Sequence, residues 1–297
     1  MILSALIAAT LLQAGSPAIP PGMARPIAAG ILADAPAQAW RRVPAEDLLV
    51  MDLADGARIV IELAGDHAPV HVANIRALAR AHWWDGTSVN RVQDNYVVQW
   101  GDATERKALP PGIVAQPPAE YERPATGLAF RPLGYRDSYA AETGHDAKGW
   151  PMAREGKAAW LTHCYGSVGV GRNLPPDTGT GAELYTVIGQ SPRQLDRNIT
   201  VVGRVLGGID RLAARPRGTA ELGFYARAEE RVGIVRARLA ADLPVAERPA
   251  YEVLRPGSPA FARWVEARAN RRDPFFVTPA GAVDICNALA PVRAVAR

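Results

Sequence analysis

Arg91, Tyr96 and Gln99 are the side chains whose types and spacing point most directly to chemistry in this sequence. They lie in residues 87–102, TSVNRVQDNYVVQWGD, a pattern that predicts two short strands joined by a polar turn. Because side chains alternate between the two faces of a strand, the first strand carries a lone arginine on one face. An arginine beside an apolar strand and a glutamine indicates a shallow apolar site with a few fixed hydrogen-bond donors. The alternative is a surface arginine on an edge strand.

The elements before this stretch predict a hairpin and a helix that would hold it in place. Asp55-Gly56 separates two apolar runs, which indicates a hairpin of strands over residues 48–53 and 58–63. Pro69 suits the first position of a helix, and the apolar residues after it recur at steps of three. These apolar residues are Val72, Ile75 and Leu78.

Residues 103–160 interrupt the pattern, because their many prolines and glycines allow only short pieces of regular structure. Within them, residues 126–130 could form a short strand, and His145 lies among residues typical of a solvated loop. Strand patterns return after residue 157. The predicted elements are a strand, turn and strand over residues 158–172 with Cys164 in the first strand, a strand at 182–189, a turn at 194–196, a strand at 199–205, a short helix at 208–214 and a last strand at 232–239.

The motifs in this order resemble those of the cyclophilin-type peptidyl-prolyl cis-trans isomerase family. That family combines an Ala-Pro-led helix, an aromatic-Asp-Gly turn, a Phe-His-Arg-Val strand, a Gln-Gly-Gly-Asp strand end and a later Gly-Arg-Val-Gly strand end. Here the same places read HAPVHVANIRALAR, WWDG, SVNRV, VVQWGD and VVGRVLGG. The resemblance covers residues 47–241 with an insertion at about residues 103–160. Each motif is weak alone, whereas their order is specific.

The resemblance implies an all-β fold, a closed eight-stranded antiparallel barrel capped by two helices. A closed barrel suits many short strands because it leaves no exposed edge. The implied function is isomerisation of the peptide bond before proline, with proline-containing polypeptides as substrates and without a cofactor. An unrelated β-barrel binder that shares only the spacing is the remaining alternative to this fold.

The implied reaction needs a pocket for the proline ring and a single well-placed hydrogen-bond donor. Rotation about the bond is slow because the amide has double-bond character, with a barrier of roughly 20 kcal/mol. A donor to the prolyl nitrogen weakens this resonance and stabilises the twisted state. The resemblance gives that role to Arg91, whose rigid and always charged fork suits it. It gives substrate binding to Tyr96, Val97, Gln99, Glu183, Tyr185 and Leu195.

Several positions depart from the family pattern and open a second functional hypothesis. The family histidine beside the arginine is Asn90, and the Gly-Gly pair at the strand end is Trp100-Gly101. The segment that binds the substrate backbone has become Asn173-Leu174-Pro175, while a tryptophan and a pocket histidine are replaced by Gln194 and Ile199. These changes predict weak activity or an altered preference. The alternative is a non-catalytic peptide-binding or scaffold protein with a degenerate site.

Composition and charge are those of a soluble globular protein. Hydrophobic residues make up 48% and charged residues 22% of the 297 residues, and the net charge is +4. No basic run is long enough to indicate a nucleic-acid partner, and we expect a monomer. His67 and His71 have the spacing of metal ligands, but no third ligand is near them, so we expect no metal.

The N-terminus predicts export from the cytoplasm. An apolar run over residues 2–12 is too short to span a bilayer, and small residues follow it. This pattern is typical of a signal peptide over residues 1–18 with cleavage after Ala14 or Ala18, although no Lys or Arg precedes the run. Residues 19–46, rich in Pro and Ala, predict a linker with room for a short ordered piece at residues 38–40. With no membrane segment left after cleavage, we expect a periplasmic or secreted protein; a buried N-terminal helix is the alternative.

Residues 242–297 form a C-terminal extension beyond the family pattern. Ser258 and Pro259 predict the start of a helix whose apolar face would dock on the domain, with Phe275 and Phe276 as further anchors. In an exported protein Cys164 and Cys286 could be joined, which would contribute roughly 4 kcal/mol in the chain-entropy model. The alternative is a pair of free, buried thiols.

Overall fold

The structure, a computed structural model, describes residues 27–295. The predicted signal peptide at residues 1–18 and the first part of the predicted linker lie outside the described residues. The strands are β1 (Trp40–Arg42), β2 (Leu48–Leu53), β3 (Arg58–Leu63), β4 (Ser88–Val92), β5 (Val97–Gly101), β6 (Arg123–Pro124), β7 (Arg131–Pro132), β8 (Glu142–His145), β9 (Pro151–Glu155), β10 (Ala158–Leu161), β11 (Ser167–Val170), β12 (Leu184–Val187), β13 (Val201–Gly207), β14 (Val232–Leu239), β15 (Tyr251–Leu254) and β16 (Val292–Ala294). The α-helices are α1 (Ile27–Ala33), α2 (Pro69–Arg80), α3 (Ile209–Ala213) and α4 (Pro259–Ala269).

Eight strands close into the predicted antiparallel barrel, in the order β11-β12-β5-β4-β14-β2-β3-β13. The hairpin around Asp55-Gly56 is confirmed, with Leu48 opposite Glu62 and Asp52 opposite Arg58. The barrel core is filled by apolar side chains that alternate along the strands, among them Met51, Ile61 and Val98.

Two helices contribute to the same core, as predicted. The stripe on α2 is fully buried, since Val72, Ile75 and Leu78 are each 0% exposed. Leu212 of α3 is also buried in this cluster. Pro69 begins α2, where the missing proline N–H costs nothing because the first N–H groups of a helix have no intrahelical partner.

The insertion at residues 103–160 carries most of a second sheet, in the order β6-β10-β9-β8-β7. The strand predicted at residues 126–130 is wrong, because these residues form a turn with Gly127 at φ +76° between two very short strands. The prediction that His145 is solvated is also wrong. His145 lies in β8, is 1% exposed and packs edge-on against Phe261 of α4, 5.1 Å between ring centroids, because the C-terminal extension covers this strand.

The linker predicted over residues 19–46 is wrong for most of its described part, because the ordered structure extends beyond the short piece predicted at residues 38–40. Strand β1 pairs with β15, and helix α1 lies against α4. Trp40 of β1 joins a second apolar cluster with Phe261 and Trp264 of the C-terminal extension, so this Pro- and Ala-rich segment is ordered by partners distant in sequence.

The C-terminal extension docks on the barrel as expected. Ser258 caps α4 by accepting a hydrogen bond from the Phe261 N–H at 3.1 Å, and the helix buries its apolar face in the second cluster. The prediction for Phe275 is wrong, because it lies in the loop after α4 and is 86% exposed.

The two cysteines, Cys164 and Cys286, are joined in a disulfide. Cys164 does not lie in the first predicted strand but in the turn between β10 and β11. The bond closes a loop of 122 residues and fixes the extension to the barrel domain. Among residues 27–295 no helix is long and apolar enough to cross a membrane.

Candidate functional site

A groove beside the barrel, with a cavity volume of about 540 Å³, brings the predicted site residues together. Strand β4 supplies Arg91, and its neighbour β5 supplies Val97 and Gln99. Strand β12 pairs with the other edge of β5 and adds Tyr185 to the same groove. The predicted residues that line it are Arg91, Tyr96, Val97, Gln99, Glu183, Tyr185 and Leu195. The structure therefore places every one of them in a single groove.

Arg91 is held by three oxygen acceptors. Its Nε donates to the Leu222 carbonyl at 2.7 Å and its Nη1 donates to Gln99 Oε1 at 3.2 Å, while its Nη2 donates to Gln93 Oε1. No carboxylate within residues 27–295 forms an ion pair with it. A guanidinium has five N–H groups, so two remain for a ligand. Partial burial lowers the pKa of Arg91, although a group with so high a starting value stays charged.

Two aromatic rings contact the guanidinium. Its central carbon lies 5.9 Å from the Tyr96 ring centroid and 5.2 Å from that of Phe224, which suits a cation–π contact with each ring. Phe224 also forms an isolated backbone bridge with Arg91. Neither Phe224 nor the Leu222 carbonyl is predicted from the sequence, because they lie more than a hundred residues from Arg91 in a segment without a strand pattern.

An apolar pocket adjoins the guanidinium. Val97, Tyr185 and Val187 are buried at its base, and Tyr96 and Ile199 pack against them. A short 3-10 turn, Arg193–Leu195, supplies the Leu195 side of the groove. An apolar hollow next to fixed N–H donors is the geometry of a ligand site in which a few polar groups orient an apolar group.

Glu183 is the most perturbed carboxyl group of the groove. Burial raises its pKa from an ordinary 4.5 to about 7, although hydrogen bonds from the Asp102 backbone and the Gln99 and Asn90 side chains favour the charged form. Since Gln99 accepts from Arg91 through its oxygen, its amide nitrogen is the donor to Glu183. The chain from Arg91 through Gln99 therefore ends on a carboxyl group that titrates near neutral pH.

The departures from the family pattern fall into different places. Asn90 is buried and contacts Glu183, and Ile199 forms part of the apolar pocket. Trp100 is 1% exposed in the barrel core and plays no part in the groove. Leu174 is 84% exposed and Gln194 is also exposed, so neither closes the pocket.

The histidines with metal-ligand spacing each have a carboxylate partner. His67 Nε2 lies 2.9 Å from Asp146 Oδ2, and His71 Nδ1 lies 2.6 Å from Glu120 Oε2. Among the described residues no group of three or more His, Cys, Asp or Glu side chains is placed to hold a metal ion.

The fold and the cavity together define a class of protein: closed eight-stranded barrels that carry an arginine in a groove at their side. The chain matches the model of a family described as cyclophilin type peptidyl-prolyl cis-trans isomerase over residues 48–238, more than half of its length. The chain belongs to this family.

Among the proteins similar to this chain are two from Brucella species and one from Hirschia baltica. A probable peptidyl-prolyl cis-trans isomerase from Brucella suis is 24% identical over 198 residues, 66% of this chain and 84% of that protein. A protein of the same description from Brucella abortus is also 24% identical over 198 residues. The crystal structure of cyclophilin AquaCyp293 from Hirschia baltica has a TM-score of 0.68 and 23% identity, covering 86% of this chain and 93% of that one, which supports the fold.

Proposed function

We propose that this chain is a peptidyl-prolyl cis-trans isomerase that assists protein folding outside the cytoplasm. The proline ring of the substrate occupies the apolar pocket of Val97, Tyr185 and Ile199, with Tyr96 and Leu195 at its sides. Gln99 and Glu183 face the substrate backbone. Arg91 donates to the prolyl nitrogen as it becomes pyramidal, which weakens amide resonance and stabilises the twisted transition state.

The observation that carries this proposal is the geometry of Arg91. Three of its five N–H groups are bound to protein oxygens, which fixes its orientation at the edge of the pocket. A donor that is already oriented needs no reorganisation when the bond twists, and such preorganised donors commonly supply several kcal/mol of transition-state stabilisation.

The test is turnover of Ala-Pro peptides by wild type and Arg91→Ala. We expect the rate to fall at least about tenfold, equivalent to about 1.4 kcal/mol, because the transition-state donor is lost. Peptide binding should fall much less, since the apolar pocket remains. Arg91→Lys should not restore the rate, because a point charge on a flexible stem cannot reproduce the fork. Tyr185→Ala should weaken binding and rate together.

Arg131→Ala is the matched control, because Arg131 lines a different cavity and forms no ion pair within the described residues. Equal turnover by wild type and Arg91→Ala would show that the donor is assigned wrongly. A wild type that binds proline-containing peptides without turnover would instead support the non-catalytic scaffold function, with Asn90, Leu174, Gln194 and Ile199 as the changes to revert.

Two features support a location outside the cytoplasm. The Cys164–Cys286 disulfide fits an oxidising compartment, since structural disulfides are rare in the cytosol. The apolar N-terminal run followed by small residues fits a cleaved signal peptide. We expect the protein isolated from its source cell to be a monomer that begins after Ala14 or Ala18. N-terminal sequencing that finds an intact Met1 would contradict export.

A further inference from the structure

Tyr185 is bound at its hydroxyl end to a residue outside the groove. Its oxygen lies 2.9 Å from His163 Nε2, and the two rings are stacked with 6.3 Å between their centroids. Tyr185 is 5% exposed and His163 is 0% exposed, so water does not replace this contact. Tyr185 lines the groove, whereas His163 does not.

The contact continues to an aspartate. Asp196 Oδ1 lies 3.0 Å from His163 Nδ1 and also accepts a hydrogen bond from the His163 backbone N–H at 2.8 Å. An aspartate acceptor places the proton of a neutral imidazole on Nδ1, which leaves Nε2 as an acceptor. Tyr185 is then the donor to His163. Burial raises the pKa of Tyr185 well above its ordinary value, which keeps the hydroxyl proton in place.

The network then reaches the insertion. Arg193 Nε donates to Asp196 Oδ2, and the other end of the same guanidinium donates to both oxygens of Asp137, at 2.9 and 3.2 Å. The side chains of Arg193 and Asp137 are 3% and 2% exposed. Because Arg193 binds Asp137 with two parallel N–H groups and Asp196 with a third, it fixes the distance between these two carboxylates and their relative orientation. The buried path therefore runs from Asp137 through Arg193, Asp196 and His163 to Tyr185.

This path holds two walls of the proline pocket at once. Tyr185 comes from β12, while Leu195 ends the turn that Arg193 begins, and Asp196 directly follows that turn. Displacing Asp137 would alter the position of both walls, although Asp137 itself does not line the groove. Local sequence patterns cannot reveal the path, because it connects residues 33 and 56 positions apart.

We propose that His163 and Asp196 are positioning residues of the proline pocket, and that Asp137 of the insertion sets their geometry through Arg193. The insertion thereby helps to hold the side chains of the proline pocket in position. The proposal rests on the assignment of this groove as the peptide-binding site. Because the walls contact the ring in both ground and transition states, the network acts on binding rather than on the chemical step.

The test is a double-mutant cycle between the two ends of the path. Asp137→Asn removes the charge that holds Arg193, and Tyr185→Phe removes the hydroxyl but keeps the ring. Each should raise the KM for an Ala-Pro peptide about three- to tenfold, the range spanned by one lost hydrogen bond, with kcat unchanged. The double variant should raise KM no more than the larger single effect, because both changes break one path.

Glu142→Gln is the matched control, since Glu142 also lies in the insertion but pairs with Arg154 at the surface. It should leave KM unchanged. Multiplicative KM effects in the double variant would overturn the proposal, as would an unchanged KM in folded Asp137→Asn. If Asp137→Asn fails to fold, Arg193→Lys replaces it, because lysine keeps the charge but cannot bridge two carboxylates with a fork.

A second measurement separates this proposal from the proposed activity. If wild type shows no turnover, the Kd for the peptide replaces KM as the quantity compared between the single variants and the double variant. If it neither turns over nor binds the peptide, the proposed function fails, and methyl NMR of the free protein tests the path. Asp137→Asn and Tyr185→Phe should then shift the Leu195 and Ile199 methyl signals non-additively. Unshifted Leu195 and Ile199 signals in Asp137→Asn would refute the coupling.

Discussion

Glu183→Gln should remove a pH dependence of stability that wild type owes to one buried carboxyl group. The pKa of Glu183 is raised from 4.5 to about 7, a difference of roughly 2.5 pKa units at about 1.36 kcal/mol each. Ionised Glu183 therefore costs the native state on the order of 3 kcal/mol. Glutamine is nearly the same shape, is uncharged at every pH and can still accept hydrogen bonds from Gln99 and Asn90.

The direction of this pH dependence follows from how tightly Glu183 binds its proton in the native and in the unfolded state. Because the folded pKa is the higher one, native Glu183 holds its proton more tightly than unfolded Glu183. The cost of the buried charge is absent below pH 4.5, grows as the pH rises and is complete above pH 7. Relative to wild type, Glu183→Gln should thus become more stable by about 3 kcal/mol between acid and mildly alkaline pH.

The assay is urea unfolding of both proteins at several pH values between about 4 and about 8, followed by tryptophan fluorescence. The difference in unfolding free energy at each pH isolates Glu183, because the other titrating groups are common to both proteins. A difference that stays constant across this range would show that Glu183 has the same pKa in the native and unfolded states. A difference that shrinks as the pH rises would reverse the reasoning on burial.

Two further predictions concern groups outside the groove. Burial lowers the pKa of His145 from 6.5 to about 4, so stability present above pH 6.5 is lost as the pH falls, by on the order of 3 kcal/mol. In urea unfolding, the unfolding free energy of His145→Gln should therefore fall less steeply than that of wild type as the pH is lowered. An equally steep fall in both proteins would contradict a buried neutral His145. Reducing the Cys164–Cys286 bond should lower the unfolding free energy by about 4 kcal/mol, as measured by urea unfolding with and without reductant. An equal midpoint under both conditions would show that the extension does not depend on the bond.

The barrel was predicted from the family resemblance, whereas its first hairpin and the facing of Arg91 could be predicted from local signals. Asp55-Gly56 fixes a hairpin within a few residues, and the alternation around Arg91 fixes which side chains face out. The groove roles of Glu183 and Tyr185 were implied by the family resemblance, and the structure brings both residues to the groove by pairing β12 with β5.

The elements that were missed depend on partners distant in sequence. Strands of two residues, such as β6 and β7, contain proline and leave no alternation to detect. Strand β1 finds its partner strand in β15, more than two hundred residues later. Phe224 and His163 reach the site through tertiary contacts, which no propensity or spacing along the chain encodes.

The pairing of β1 with β15 also determines when this protein can finish folding. Strand β1 pairs with residues 252–254 of β15, so it has no partner strand until most of the chain has been made. Until then Val50 and Val60, which pack in the second apolar cluster, lack their cover. The arrangement therefore ties completion of the native state to the presence of the C-terminal extension.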